Sequence, residues 1–143
     1  MTHALQPGTC QPPPCSLTGG HLCFFAVPPC RLLDTRNANQ GPPFGFEDRA
    51  VKIAPGCGVP ITAKAVALNV TVTQATNQGF LTVHADGTAP GTSTIDFAAN
   101  QTRANNVVSG LSAAGDGTLR IFSSIGGSSP SVQVILDVTG YFE

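Results

Sequence analysis

From residue 65 to the C-terminus, hydrophobic and polar positions alternate with a period of two. In Ala65 to Thr73, Val66, Leu68, Val70 and Val72 share one face, while Ala, Asn and Thr share the other. That is the pattern of a strand with one buried face. Ser131 to Tyr141 repeats it, with Val132, Val134, Leu136 and Val138 on a common face. Between them lie Gly79 to His84, Thr94 to Phe97, Asn106 to Val108 and Thr118 to Phe122. Turn signals separate these runs at Thr76-Asn77-Gln78, Asp86-Gly87, Ala89-Pro90-Gly91, Gly115-Asp116-Gly117 and Gly126-Gly127. Upstream, Cys23 to Val27, Arg31 to Leu33 and Arg49 to Ile53 are weaker strand candidates. No segment has a helical period. The spacing predicts an all-β domain, a β-sandwich of eight or nine short strands. Jelly-roll and immunoglobulin-like strand orders both fit it.

The N-terminal part has a different character. Ten of the twelve prolines fall within residues 1–60. Pro12-Pro13-Pro14 and Gly19-Gly20 exclude a helix and make a poor strand. The chain therefore divides into an extended Pro/Cys-rich arm, residues 1–26, and a β-sandwich domain, residues 27–143. An arm without its own core needs something to lie against: its own domain, a disulfide or a neighbouring subunit.

Composition narrows the functional classes. The 143 residues make one domain's worth of chain, and only 10% are charged, with a net charge of −1. Such a balance offers no electrostatic footprint for nucleic acid or an anionic membrane surface. No window approaches the roughly 18 apolar residues of a transmembrane helix, so membrane insertion by a helix is not expected. Met1 to Pro7 has neither the basic nor the apolar region of a signal peptide. A chain starting this way outside the cell has lost a leader or leaves by another route, such as lysis.

The five cysteines, Cys10, Cys15, Cys23, Cys30 and Cys57, all precede residue 58. None forms a C-x-x-C pair, which argues against a zinc ribbon or a thioredoxin motif. They are read as disulfide candidates in an oxidising, extracellular setting. The odd number leaves one thiol free or bridging two chains, and the pairing stays open.

Val27-Pro28-Pro29-Cys30-Arg31-Leu32-Leu33-Asp34-Thr35-Arg36 resembles the P-x-R-L-L-D-T-R opening of a β-rich module of bacterial secreted and cell-surface proteins. Ala67 to Thr73, Gly79 to Val83, Ala104 to Val108 and Asp137 to Phe142 are similar to its later segments. The resemblance covers residues 27–142. It implies a β-sandwich of exported proteins and brings no catalytic residues.

Arg31, Asp34 and Arg36 are the most concentrated charges, and form either a structural ion-pair network or a pocket for a carboxylate or sugar. Asp86-Gly87 and Asp116-Gly117 read as turns, since no run of carboxylates accompanies them. His84 has no nucleophile motif beside it. Glu47-Asp48 reads as an edge charge that guards against aggregation. Of the aromatics, Phe24 and Phe25 are expected at assembly contacts. Phe44, Phe46 and Phe80 are assigned to packing or subunit contact. No cofactor or metal is expected. The resulting expectation is a non-enzymatic extracellular module, a self-associating subunit that uses its arm. Two alternatives are a polysaccharide-binding module with loops Asp34 to Phe46 and Ala85 to Gly91 as its site, and a virion decoration or tail component.

Overall fold

The computed structural model describes residues 19–143. The expectations for the arm before Gly19, with Cys10 and Cys15, lie outside the described residues. Eight strands follow: β1 (Phe24–Asp34), β2 (Glu47–Lys52), β3 (Ala65–Thr73), β4 (Gly79–His84), β5 (Ile95–Phe97), β6 (Arg103–Gly110), β7 (Thr118–Ile125) and β8 (Gln133–Phe142). A single 3-10 turn, Ala38–Gln40, interrupts the β1–β2 connection, where the Asn37 side chain accepts from Asn39 N. The strands form two four-stranded sheets, β1-β8-β3-β6 and β2-β7-β4-β5. Every named pair is antiparallel. The fold is a β-sandwich.

The order has a simple origin. β1 pairs with β8, β2 with β7, β3 with β6 and β4 with β5. The chain is thus one long hairpin with its tip between β4 and β5. Wrapping that hairpin brings β3 beside β8 and β4 beside β7. This is jelly-roll topology, and it resolves the choice the sequence leaves open.

Period two supplies the core. Val66, Leu68, Val70 and Val72 of β3 meet Leu119 and Ile121 of β7, Leu81 of β4, and Val134, Leu136 and Val138 of β8 in one buried cluster. Phe44 joins it from the β1–β2 connection, held by a bridge to Val132. At Gly117 the backbone takes a φ of +72°, and a Cβ would run into the Ala54 carbonyl. Glycine there lets the β6–β7 turn close on the β2–β3 loop.

Two elements differ from the sequence reading. The sandwich starts before residue 27: Phe24, Phe25 and Ala26 pair with Phe142, Tyr141 and Gly140. The chain passes Pro28-Pro29 through a register shift between Ala26 and Cys30. β1 is an edge strand, so the missing proline N–H groups need not break a ladder. β6 is also longer than Asn106 to Val108, because its first half is polar and exposed and shows no alternation.

Leu136 is fully buried, whereas Thr71 faces outward on β3. Leu136→Ala is expected to lower unfolding stability by about 3 kcal/mol, and Thr71→Ala to change it by no more than about 0.5 kcal/mol. Urea unfolding measures both, and equal losses would mean that the buried face is wrongly assigned.

Candidate functional site

β1, β8 and the turn that follows β1 bring four charges together at the first sheet. Arg31 Nε donates to Asp137 Oδ1 at 2.8 Å, and Arg31 Nη1 reaches Asp34 Oδ2 at 3.4 Å. Arg36 donates to Asp34 from Nη2 at 2.7 Å and from Nε at 2.8 Å. The structure thus brings Arg31, Asp34 and Arg36 together, as their spacing implied. It adds Asp137, a partner 106 residues away in sequence that no local pattern reveals. The side-chain hydrogen bond from Arg36 is the main force holding the Asp34 carboxyl down to about 2. Burial, the next largest effect, opposes it, while the Arg36 backbone N–H bond, the Arg36 charge and that of Arg31 add to the lowering. Both Asp34 oxygens already accept from arginine, so the cluster works as a clamp between β1, β8 and the 3-10 turn. Gln40 completes that link, its Oε1 accepting from Asp34 N at 2.7 Å.

Cys30 is bonded to Cys57, which ties β1 to the β2–β3 loop across a sequence separation of 27. Cys23 is buried and also disulfide-bonded. Its backbone exchanges two hydrogen bonds with Glu143, fastening the start of the described chain to its end.

Beside this junction the surface turns apolar. Phe24 packs on Phe142 with ring centroids 5.0 Å apart, and Phe25 stacks on Tyr141 at 5.2 Å. The Phe24 ring covers Gly140, where any Cβ would collide with it, so only glycine lets β1 lie flat here. Register divides the outer face into unlike halves. One row across it reads Asn106, Asn69, Asp137, Arg31. The next two read Val108, Ala67, Gly140, Ala26 and then Gly110, Ala65, Phe142, Phe24.

The remaining candidates are absorbed by structure. Asp116 Oδ1 accepts from Thr118 N and Oγ1, which is turn chemistry, and Asp86 Oδ2 accepts from Ala113 N, which ties two loops together. No group of three or more His, Cys, Asp or Glu that could hold a metal occurs among the described residues. His84 is buried on the outer side of the second sheet, its Nε2 3.2 Å from Asp48 Oδ1 and its Nδ1 3.3 Å from the Asp86 carbonyl. Glu47 and Asp48 open β2, an edge strand of its sheet, and there Glu47 pairs with Arg49 and Asp48 with Arg120. Phe44 is buried beneath the Arg49 guanidinium, whereas Phe46 is exposed beside Phe122. A cavity of about 340 Å³ opens between β1 and β2. Its rim cations, Arg49 and Lys52, already donate to the Pro42, Pro43 and Asp116 carbonyls.

The two loops expected to form one sugar site lie at opposite ends of the sandwich. Thr35 and Phe44 bond to Val134 and Val132 at the start of β8. Asp86 instead bonds to Ala113 in the β6–β7 connection. A single ligand would have to span the length of the strands to reach both.

No protein-family model and no curated protein sequence matches the chain. Among solved structures it is similar to the coat protein of Tobacco streak virus. One crystal form matches with a TM-score of 0.48 and 11% identity, over 88% of this chain and 90% of that one. A dimer structure of the same protein gives a TM-score of 0.43 and 10% identity, over 87% and 89%. At these identities the likeness is one of shape, and no activity is carried across by it.

Two outcomes test the clamp and the covalent tie. The arginines hold the ionised form of Asp34, so its contribution is complete above its unfolded pKa near 4 and is lost as pH falls towards about 2. Urea midpoints should therefore drop between pH 4 and pH 2, and Asp34→Asn should flatten that part of the profile. An unchanged slope in the variant would exclude Asp34 as its source. Replacing Cys30 and Cys57 together by Ser is expected to cost about 3–4 kcal/mol by the loop-closure argument, measured by the same unfolding. A loss below about 1 kcal/mol would show that the bond constrains little.

Proposed function

We propose that the chain is a non-enzymatic structural module that self-associates outside the cell. It acts as a subunit of a surface or extracellular assembly through its N-terminal arm and the apolar residues beside it. The observation that carries this reading is how charged and apolar groups divide the surface. Every arginine, aspartate and glutamate, and Lys52, has a hydrogen bond or ion pair within the chain. Groups tied up in this way are poorly placed to bind a charged substrate or to move its protons.

Six large apolar side chains are exposed among the described residues, and three of them lie together. Leu22, Phe24 and Phe25 are exposed in one short stretch where the arm joins the domain. Large exposed aromatics next to flat, small-residue rows fit a protein contact better than a solvated face. An extended arm adds reach: it crosses to a neighbour without requiring the two domains to match over a broad area. A disulfide from the odd cysteine could then make the contact covalent.

Light scattering on the full chain, with and without reductant, tests this. The expected mass is a multiple of 14.6 kDa. It should fall when Phe24 and Phe25 are both replaced by Ser. A single-chain mass at the highest soluble concentration would overturn the proposal.

A further inference from the structure

Each sheet ends in two edge strands, β1 and β6 in the first and β2 and β5 in the second. A free edge offers unpaired backbone groups to other chains, and proteins that stay single blunt it with prolines, bulges, charges or short strands. Three of the four edges here are blunted. β1 carries Pro28-Pro29 and two register shifts against β8. β2 presents Glu47, Asp48, Arg49 and Lys52 within six residues. β5 is three residues long, and side chains of β6 cap the edge beside it. Asn105 Nδ2 donates to the Thr94 carbonyl at 2.8 Å, and Arg103 Nη1 to that of Asp96 at 3.2 Å.

β6 is the exception. It pairs with β3 from Val72↔Arg103 to Ala65↔Gly110 without a register shift. Its eight residues include no proline and no lysine, and their one charge, Arg103, stands at the start of the strand. The direction of its free backbone groups follows from the bond of Leu111 N to the Lys64 carbonyl, beside β3. Backbone groups of successive residues point to opposite sides of a strand, so Asn105, Val107 and Ser109 also face β3. Ala104, Asn106, Val108 and Gly110 face away from it. All four are exposed, Val108 by 61%. Two local bonds agree with this assignment. Asn106 N donates to the Asn105 side chain, and the Gly110 carbonyl accepts from Ser109 Oγ.

We infer that β6 is a second contact between copies, its outward edge pairing antiparallel with β6 of another copy about a two-fold axis at Val107. The inference rests on the self-association proposed above and adds an interface at the opposite edge of the first sheet from β1. With the axis at Val107, Ala104 lies opposite Gly110 of the second copy and Asn106 opposite its Val108, so every outward group from Ala104 to Gly110 is used. Val107 meets Val107, a β-branched cross-strand pair. Arg103 falls beyond the paired stretch, opposite the uncharged Leu111, and no like charges meet. The Val108 carbonyl of the second copy replaces the Asn105 side chain at Asn106 N. The Gly110 carbonyl keeps its bond from Ser109, because a carbonyl oxygen accepts twice. A partner strand must be regular and uncharged over the same length, and a second β6 meets both conditions. The contact is isologous, the form that closes a two-fold dimer.

Light scattering on full-length variants tests the inference. Val108→Pro removes a backbone N–H that points away from β3, a place where an edge strand tolerates proline. F24S/F25S, which removes the apolar contact beside β1, is expected to keep the mass of two chains. Adding Val108→Pro to it is expected to halve that mass, with a melting temperature matching F24S/F25S. If the proline variant does not fold, Asn106→Lys places a charge on the outward edge and is read in the same way. A two-chain mass that survives either edge variant overturns the β6 contact. A single-chain mass for F24S/F25S alone also overturns it and leaves the contact beside β1 standing. If F24S/F25S keeps the full mass of the unaltered protein and Val108→Pro halves it, the β6 contact stands and the one beside β1 fails. A single-chain mass for the unaltered protein removes both.

Discussion

The first sheet depends on the pairing of β8 with both β1 and β3. β8 is the last strand of the chain, yet it lies inside the sheet, with β1 on one side and β3 on the other. Its inward residues Val134, Leu136 and Val138 are fully buried. Until residues 133–142 are in place, β1 has no partner and the core lacks one wall. Contacts between the first and last strands carry the largest loop-closure cost available to the chain, so folding is set by non-local pairing. The Cys23–Glu143 backbone bonds and the Arg31–Asp137 pair both fasten this same seam.

Around that seam the molecule uses few charges and places them sparingly. Arg31, Asp34, Arg36 and Asp137 hold one half of an outer sheet face, while alanine, glycine and aromatic rings cover the other. An antiparallel sheet with a solvated face ordinarily shows polar residues throughout. The apolar half departs from that pattern, and its flatness follows from its small side chains and from Gly140, over which the Phe24 ring settles. The same surface would be a liability in a protein meant to remain alone.

Much of the fold was legible because alternation survives wherever a strand is buried on one face. β3 shows all four of its core residues in its period, and β8 does the same up to Val138. The pattern fails at particular places for physical reasons. At Ala67–Leu68 the pairing of β3 with β8 shifts register, which puts Gly140 and Phe142 on the outer face despite the alternation before them. Pro28-Pro29 divides β1 into two apparent fragments, because tolerance of proline depends on the strand lying at an edge, a property of the assembled sheet. For the site, Arg31, Asp34 and Arg36 stood close together in sequence and so could be grouped by eye. Asp137 could not, since only the β1–β8 register brings it there. The Cys30–Cys57 tie was likewise one pairing among many until the β2–β3 loop was seen to return beside β1.

That covalent tie also decides how the domain answers a mechanical load. A pull on the N-terminal side of Cys23 would peel the chain from β8 one backbone bond at a time, starting at the Cys23–Glu143 pair. The peeling stops at Cys30, where the force passes through sulfur to Cys57 and onward into the β2–β3 loop. Only the stretch before Cys30 can then lengthen, by roughly 3.3–3.6 Å for each residue drawn straight. The segment from Phe24 to Cys30 is thus a short yielding leader, and beyond it the load is shared between β1 and the β2–β3 loop.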